Sequence, residues 1–577
     1  MQFALRYSVL RGVQFLVLAT ACSENRVSDV TASAPTGGDT SSTTGGSATL
    51  GGNSGTGGLL NASTTSSIRT TGGSSSVGGT LAGGASATGG IASTGGSAST
   101  ATGGRNTGGA TVSNVGGRVA TGGSSSEGGR SNTGGSGGVA AGGTATGGAA
   151  TGGAATGGAS RGPTPPTSTT NFPFPQNRQA DNCIYPTGYN NEDVLAVYSA
   201  WKSALVSSQG VGNGCTNCRR ILRPAEPGLQ ANSTVSEGIA YGMIIAVYMD
   251  DQSLFDDLWR YEQAHTWTST PVGQPSVATS LMNWYIASDG SVASTSNGGM
   301  SGSGAATDAD EDMAWALVMA DRQWKKKQGT DGSLSKTYSA YAQQLLKDIW
   351  TYEIDAYRLP KNGSGWGSDN CLNISYFAPA YYRVFANAAS ESRWSSNVVP
   401  YVYQVISQSL NQANGNQDNG LVPAFSTSTG GTDKCGTQGQ STQAHNYQYD
   451  SCRTPFRIGL DACFNNSTDA IAYVAKTSSF FAPKGAGGVV DGYQLNGTNS
   501  AQFPGGAYNG LSGAFIGPAG VGAMRKQTGL DYQSFVDGVY NLLRQNNQWC
   551  GGQYYDESWT LLTLLMMTGN FLDYTKY

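Results

Sequence analysis

The sequence predicts an all-α domain, a toroid of helices, that follows a long arm without a stable fold. Three observations support this fold class. Glycine makes up 85 of the 577 residues, about twice the usual share, and most of the excess precedes residue 162. After about residue 182, apolar side chains recur mostly at the spacing of one helix face, and strand-like alternation is scarce. Long polar loops such as "GSGWGSDNCLNIS" separate these segments, and such loops usually build sites.

The first 22 residues resemble a bacterial lipoprotein signal. Arg6 and Arg11 supply positive charge, and "GVQFLVLATA" is an apolar run too short to span a bilayer as a mature helix. Cys22 follows small residues, as the lipidated cysteine of such signals does, and Ser23 points to the outer membrane. We therefore expect an exported protein, an outer-membrane or cell-surface lipoprotein whose only membrane contact is a lipid on Cys22. Ordinary cleavage and secretion without lipid is the alternative.

Residues 23–170 form a linker rich in Gly, Ser, Thr and Ala, with stretches such as "TATGGAATGGAATGGAS". From about residue 33 no aromatic residue occurs until Phe172, so this segment cannot bury enough surface to offset the entropy of ordering. A flexible coil of ~130 residues spans about 60 Å. We expect a disordered tether that holds the following domain away from the anchored end.

Residues 171–577 predict one large domain of about a dozen helices. Apolar residues at helical spacing indicate two of these helices: Val194, Val197, Tyr198, Trp201 and Leu205, then Met313, Leu317, Ala320 and Trp324. The same spacing recurs in "YAQQLLKDIWTYEI", "AYYRVFANA", "VVPYVYQVISQSL" and "SFVDGVYNLLRQ". The segment "YYDESWTLLTLLMMTGNFL" predicts a final helix that ends at Gly569.

The cysteines point to export. Nine are present, and lipidation of Cys22 would leave eight, an even number that in an exported chain predicts disulfides without fixing their pairing. A zinc site at Cys215 and Cys218 is the alternative, but a structural zinc needs four ligands, and the chain has only His265 and His445 as histidines. We therefore expect no metal. The eight are Cys183, Cys215, Cys218, Cys371, Cys435, Cys452, Cys463 and Cys550.

Glu237, in "STVSEGIAYGM", is the first candidate for acid–base chemistry. Thr234 and Glu237 have the spacing of a capping box, in which the glutamate only folds back on a helix start. Against that structural role, Gly238 and Gly242 would let a ligand approach the backbone closely. A glutamate that aromatic neighbours shield from water would have a raised pKa and could donate a proton.

The segment "ATDADEDMAWALVMADRQW" crowds four acids at the start of a helix. Acids at that position favour the helix dipole, and Thr307 with Asp310 imitates a capping box. The acids also imitate the start of a calcium-binding EF-hand loop. That match fails, because the positions that need glycine and glutamate hold Met313 and Met319.

Asp450 is the third candidate, in "QYDSCRTPFRIGLDACF". Asp450 and Arg453 are three residues apart, so they share a face if the segment is helical, and Arg457 lies one turn further on. The pair is either an ordinary ion pair or a carboxylate that Arg453 keeps ionised, able to accept a proton from water.

Five motifs in order resemble glycoside hydrolase family 8, the family of inverting endoglucanases and xylanases. They are "SEGIAYGM", "ATDADEDMAWALVMADRQW", "NISYFAPAYYRVF", "YDSCRTPFRIGLD" and "YYDESWTLLTLLMMTGNF". The resemblance covers about residues 182–577 and implies an (α/α)6 barrel, a ring of six helical hairpins with a substrate cleft at one end. One departure is Ile374, which stands where the family more often has proline.

The resemblance also implies roles for individual residues. Glu237 matches the general acid, Asp450 the general base with Arg453 as its partner, and Asp308 the aspartate that holds and distorts the sugar. Tyr376 matches a tyrosine near the base and the attacking water.

The other acids of this cluster are assigned from the residues themselves. Asp310 is assigned to the helix start or to the cleft floor as a substrate contact. Glu311 and Asp312 are assigned to solvent and the helix dipole.

Aromatic platforms for sugar rings are expected in polar segments. Trp267, Trp284 and Trp366 are candidates, with Trp366 first, whereas Trp201, Trp324 and Trp559 lie on apolar helix faces and are assigned to the core.

We expect a monomeric, cofactor-free enzyme that hydrolyses a β-1,4-glucan. Xylan is the runner-up substrate, followed by mixed-linkage glucan or chitosan, and a non-catalytic glycan-binding protein is the alternative class. The net charge of −4, with basic residues mostly scattered singly, argues against nucleic acid as a partner.

Overall fold

The computed structural model of the protein describes residues 170–223, 230–330, 332, 334–367, 371–432, 445–501, 510–545 and 554–577. The predictions for the signal segment, for Cys22 and for the linker up to residue 169 lie outside these residues, as do Cys435 and Cys550. No helix in the described part is long and apolar enough to cross a membrane.

Helices dominate the described residues, as predicted. Twelve α-helices are described: α1 Asn191–Leu205, α2 Ser236–Tyr248, α3 Gln252–Ala264, α4 Thr307–Gln323, α5 Tyr338–Tyr352, α6 Pro379–Ala388, α7 Val399–Ser409, α8 Thr454–Asn465, α9 Thr468–Phe481, α10 Gly513–Ala523, α11 Gln533–Leu543 and α12 Tyr554–Met567. The last ends where predicted, because Gly569 takes a left-handed φ of 69°.

The even-numbered helices contact one another in sequence. Helix α2 packs on α4, α4 on α6, α6 on α8, α8 on α10, α10 on α12, and α12 on α2. These helices are buried on nearly every side, and every residue of α10 is buried. The helices in this series can approach closely, since a Cβ at Gly517 of α10 would come within 2.3 Å of the Thr563 hydroxyl on α12.

The odd-numbered helices each cover neighbours in that series and bury one face. Helix α3 packs on α2, α5 on α4, α9 on α8 and α10, and α11 on α10 and α12. In α1 the predicted apolar face is buried at Val194, Val197, Trp201 and Leu205, while Tyr198 is only half-buried. The core therefore lies between the even-numbered helices and beneath these outer faces.

The strands are short and form two-stranded antiparallel sheets. Strand β1 (Val206–Ser207) pairs with β2 (Arg220–Ile221), and β4 (Thr266–Ser269) pairs with β5 (Val277–Met282). Strand β3 (Thr234–Val235) pairs with β6 (Tyr285–Ile286) and leads directly into α2. This last pair anchors the start of α2, because the Ser236 N–H donates to the Trp284 carbonyl at 2.9 Å.

The disulfide prediction is confirmed for part of the set. Cys183 is bonded to Cys463, and Cys371 is also in a disulfide. Cys215 is bonded to Cys218, so these two thiols are not zinc ligands in this structure. Cys452 is a buried free thiol, so the even number of cysteines does not mean that every one of them is paired.

Candidate active site

Glu237 lies in the first turn of α2, and the capping-box alternative for it is wrong. The N-cap is Val235, which supplies no side-chain hydrogen bond, and the Thr234 hydroxyl donates to the Ile221 carbonyl instead. The Glu237 carboxyl turns away from the helix start. Its Oε2 accepts from Arg453 Nη1 at 2.5 Å and its Oε1 accepts from the Tyr554 hydroxyl at 2.8 Å. The side chain keeps 17% exposure, so it can still meet a ligand.

Asp308 occupies the first turn of α4, opposite Glu237. Its Oδ2 accepts from Arg453 Nη1 at 2.6 Å, and its Oδ1 accepts from the Ala309 N–H at 2.9 Å. The capping box predicted from Thr307 and Asp310 is wrong, because the N-cap, Ala306, makes no side-chain hydrogen bond. Two helix starts from the even-numbered series thus bring two carboxyl groups to one guanidinium.

Arg453 contacts each of the three acids of the site. It precedes α8, its side chain is only 2% exposed, and its Nε donates to the Ser375 hydroxyl at 3.1 Å. The predicted ion pair of Arg453 with Asp450 is present, but the two residues do not share a helix face. Asp450 lies in the turn before α8, and its Oδ1 is 3.8 Å from Arg453 Nη2, whereas Glu237 and Asp308 take direct hydrogen bonds from Nη1.

Asp450 is the most exposed carboxylate of the group, at 25% of its side chain. Its Oδ1 accepts from the Asn373 amide at 3.0 Å. Tyr376 also lies next to Arg453, with its ring centre 5.0 Å from the guanidinium carbon. The structure therefore brings together Glu237, Asp308, Arg453, Tyr376 and Asp450.

Burial gives Glu237 the protonation state of a proton donor. Loss of hydration raises its pKa to about 8, the positive charge of Arg453 opposes that rise, and the neighbouring Asp308 adds to it. This shift favours the protonated form of Glu237 near neutral pH.

Asp310 is not at the sugar-binding surface, contrary to the predicted substrate contact. It is fully buried, and its Oδ1 accepts from the Met282 N–H at 3.2 Å. Burial, followed by the neighbouring Glu353, raises the pKa of Asp310 well above its ordinary value. The side chain serves the packing of α4 rather than the cleft.

The assignment of Glu311 and Asp312 to solvent is also wrong. Helix α4 belongs to the inner series and has no solvent face at this turn, so both side chains are buried. Glu311 accepts from the Tyr382 hydroxyl at 3.0 Å. Asp312 forms two hydrogen bonds with Arg457, at 2.9 and 2.8 Å. These contacts replace the water that an exposed helix start would use.

Two of the three candidate tryptophans lie in segments whose backbone contacts the helix starts that carry the acids. Trp284 is half-buried and precedes β6, where its carbonyl holds the start of α2. Trp366 is half-buried in a loop whose Gly363 pairs with Ala306 at the start of α4. Trp267 lies on β4 against Tyr352, with ring centres 5.5 Å apart, and no described contact joins it to the site. The core assignment of Trp201, Trp324 and Trp559 is confirmed, since all three are buried.

Sequence reasoning missed several residues that hold the site. Tyr554 and Tyr241 both contact the site's charged groups, the second through a 3.4 Å contact between its hydroxyl and Arg453. Asn373 and Ser375 hold Asp450 and Arg453. All four lie inside motifs that the sequence displays, but their roles depend on contacts between distant segments.

Around one arginine the structure thus places a largely buried glutamic acid with a raised pKa and a more exposed aspartate. Two carboxyl groups in such different environments are typical of hydrolases that use general acid–base catalysis, the class to which glycosidases belong. The family model for glycosyl hydrolases family 8 matches residues 183–569, and the chain belongs to this family of glycoside hydrolases. The resemblance drawn from the five motifs is thereby confirmed.

Known relatives agree with the family. Endoglucanase A of Acetivibrio thermocellus is 34% identical over 406 residues, which cover 70% of this chain and 73% of that protein. The beta-glucanase of Niallia circulans is 28% identical over 425 residues, covering 70% of this chain and 92% of that protein. The apo structure of a beta-1,3-1,4-glucanase from Paenibacillus sp. X4 matches with a TM-score of 0.57 at 26% identity, covering 70% of this chain and 99% of that one.

Proposed function

We propose that the protein is an endo-glycosidase that hydrolyses β-1,4-linked glucan with inversion, using Glu237 as general acid and Asp450 as general base. The observation that carries the proposal is the pairing of these two carboxyl groups across Arg453. Nη1 contacts Glu237 at 2.5 Å and Nη2 lies 3.8 Å from Asp450. The two carboxyl oxygens are therefore at most about 9 Å apart, which does not exceed the upper end of the ~6.5–9.5 Å separation that leaves room for a water in inverting enzymes.

In the proposed reaction, Glu237 gives its proton to the glycosidic oxygen as the bond from that oxygen to the anomeric carbon breaks. A water on the opposite face of the sugar attacks the anomeric carbon, and Asp450 takes a proton from this water. Asp308, fixed by Arg453, would hold the sugar at the cleavage point, and Tyr376 would sit beside the attacking water. Each residue acts without a metal or an organic cofactor.

We also propose that the domain is an (α/α)6 barrel. The cyclic contacts from α2 through α12 and back to α2 support six inner helices, and the odd-numbered helices that cover them support six outer ones. The four helix starts or preceding turns that carry Glu237, Asp308, Asp450 and Tyr554 then meet at one end of the ring.

A β-1,4-glucan is the preferred substrate because relatives named as endoglucanases match over most of the domain. A mixed-linkage glucan is the second candidate, and the match to a beta-1,3-1,4-glucanase structure favours it. Trp366 and Trp284 would supply stacking platforms on either side of the acids. Xylan and chitosan stay as alternatives, and so does a glycan-binding protein without catalysis, although the retention of both Glu237 and Asp450 speaks against the last.

Export is part of the proposal. The apolar run before Cys22 and the disulfides within the domain support a chain that crosses a membrane and folds in an oxidising compartment. We propose a lipid on Cys22 as the anchor and residues 23–170 as the tether of a monomeric enzyme.

The test is reducing-sugar release by the purified full-length chain from carboxymethylcellulose, mixed-linkage glucan, xylan and chitosan. Release should be fastest from one of the two glucans. Glu237→Gln and Asp450→Asn should each lower kcat by ~10²–10⁴-fold or more, with little change in the melting temperature. Asp418→Asn is the matched control, because that side chain is 90% exposed and remote from the site.

Two results would contradict the proposal. Release from none of the polymers, with binding retained, would favour the glycan-binding alternative. Full activity in both acid variants would show that the catalytic pair lies elsewhere.

A further inference from the structure

Asn373 is a buried asparagine that contacts the proposed base directly. It is 1% exposed, and its Nδ2 donates to Asp450 Oδ1 at 3.0 Å. Its Oδ1 accepts both the N–H and the hydroxyl of Ser375, at 3.0 and 2.8 Å. These two donors fix the orientation of the amide, because a flipped amide would turn Nδ2 towards them and lose the bond to Asp450.

A second buried asparagine holds the backbone of Asn373 in place. Asn362 is fully buried, and its Oδ1 accepts the Asn373 N–H at 2.8 Å. Its Nδ2 donates to the Cys371 carbonyl at 3.2 Å, and its own carbonyl accepts the Thr307 N–H at 3.3 Å. Asn373 is thereby tied to the start of α4, one residue before Asp308.

Asp450 needs such support more than the other acids do. It lies in a turn and is 25% exposed, so packing restrains its side chain less than that of Asp308, which is 3% exposed. A carboxylate must present one oxygen to the water at a fixed angle if it is to accept a proton efficiently. A hydrogen bond from a rigid amide can fix that angle, and an N–H donor also stabilises the ionised form of a carboxylate.

Building on the proposed role of Asp450, we propose that Asn373 is a positioning residue that orients the general base and keeps it ionised. Ser375 belongs to the same hydrogen-bond network. Its hydroxyl donates to Asn373 Oδ1 and accepts from Arg453 Nε at 3.1 Å. One hydroxyl therefore connects the amide that holds the base with the guanidinium that holds the acid, so the two sides of the reaction keep their relative placement.

The experiment is a pH profile of kcat/KM for Asn373→Asp on a soluble cello-oligosaccharide, with the full-length protein. This change keeps the shape of the side chain but replaces the donor by a second carboxyl group next to Asp450. We expect kcat to fall about 10- to 100-fold, as for loss of a hydrogen bond to a charged group, with a small change in KM. The acid limb of the profile should move to higher pH, because Asp450 then protonates more readily.

Ser375→Ala provides a second, milder variant. It removes one of the two donors that orient the amide, so the acid limb should move in the same direction by less.

Asn416→Asp is the matched control for a purely structural effect. Asn416 is also fully buried and bonded on both ends of its amide, to the Asn411 N–H and to the carbonyls of Ser409 and Leu421, but it is remote from the site. This variant should lose thermal stability without moving the acid limb.

The inference is overturned if folded Asn373→Asp and Ser375→Ala both keep the wild-type acid limb and a kcat within about twofold. That outcome differs from failure of the proposed function, in which Asp450→Asn itself retains activity. A second outcome would also count against the positioning role. In it, Asn373→Asp loses no more activity than the control Asn416→Asp, and the acid limb shifts in neither Asn373→Asp nor Ser375→Ala.

Discussion

At the scale of single residues, the site depends on how one arginine distributes its hydrogen bonds. The i,i+3 spacing of Asp450 and Arg453 predicts that they are partners, but Arg453 bonds Glu237 and Asp308, which are 216 and 145 residues away. Local spacing reveals only local contacts. The long-range ones arise because the starts of α2 and α4 meet the turn before α8. The Arg453 side chain is only 2% exposed, so it has almost no solvent to bond instead.

The first prediction concerns the proton on Glu237. Because burial raises the pKa of Glu237 to about 8, kcat/KM should fall as the pH rises through about 8, where the acid loses its proton. The Tyr554 hydroxyl opposes that rise by bonding the carboxylate, so Tyr554→Phe should move the alkaline limb to higher pH. The measurement is the pH profile of kcat/KM between pH 5 and pH 10.

Tyr574→Phe is the control for this change, since Tyr574 is buried and its hydroxyl finds no partner among the described residues. That variant should keep the wild-type limb. If the alkaline limb of Tyr554→Phe stays fixed or moves to lower pH, then Glu237 is not the group whose ionisation produces that limb.

At the scale of elements, α4 shows most clearly what sequence patterns can and cannot supply. The spacing of Met313, Leu317, Ala320 and Trp324 predicts its apolar face and its end, and the structure confirms a helix at Thr307–Gln323. The rule for exposed helix starts assigns Glu311 and Asp312 to solvent and the helix dipole. That rule fails here because α4 contacts α2, α5 and α6, and no side of its first two turns is left to water.

Helix α10 illustrates the opposite difficulty. Its sequence, "GAFIGPAGVGA", contains Pro518 and four glycines and gives little indication of a helix. Packing overrides propensity, because small residues let α10 approach α11 and α12 closely. A Cβ at Gly520, for example, would meet Val539 and Met567 at 2.6 Å. Such a helix becomes visible only when its neighbours are known.

The second prediction concerns the two buried acids Asp310 and Glu353, which lie next to each other beneath the start of α4. Burial raises the pKa of Glu353 to about 8, against an ordinary value of about 4.3. Between these values the folded protein holds a proton that the unfolded chain releases, so the free energy of unfolding falls as the pH rises. Glu353→Gln has no such proton to lose, so its melting temperature should decrease less than that of the wild type between pH 5 and pH 8.5.

Thermal unfolding at both pH values measures this difference, and Asp418→Asn, at an exposed position, should follow the wild-type trend. Parallel curves for Glu353→Gln and the wild type would show that Glu353 is already ionised in the folded protein at pH 5.

At the scale of the whole molecule, the described chain begins far from the acids. Thr170 pairs with Trp324, and the Asn171 N–H donates to the Gln323 carbonyl at 2.7 Å, both at the end of α4. Asp308 stands at the opposite end of this 17-residue helix, a distance of about 25 Å. Phe172, stacked on Tyr574 at 4.2 Å between ring centres, secures this connection.

This placement gives the third prediction. A chain that begins at residue 170 should hydrolyse a soluble oligosaccharide with kcat/KM within about twofold of the full-length protein, since the removed residues attach at the end of α4 away from the acids. Steady-state kinetics of both forms provide the comparison. A loss of ten-fold or more in the shorter chain, at an unchanged melting temperature, would mean that the first 169 residues contribute to the site.

The central claim is that Glu237 and Asp450 hydrolyse an internal β-linkage with a single displacement at the anomeric carbon. Proton NMR of cellohexaose during its first minutes of hydrolysis by the full-length enzyme tests this most directly. A water that attacks opposite the leaving oxygen must give the α anomer first, and internal cleavage must give cello-oligosaccharides with two to four sugars, so these are the products we predict. First appearance of the β anomer would require a covalent intermediate on a carboxylate, and it would contradict the assignment of Asp450 as a base.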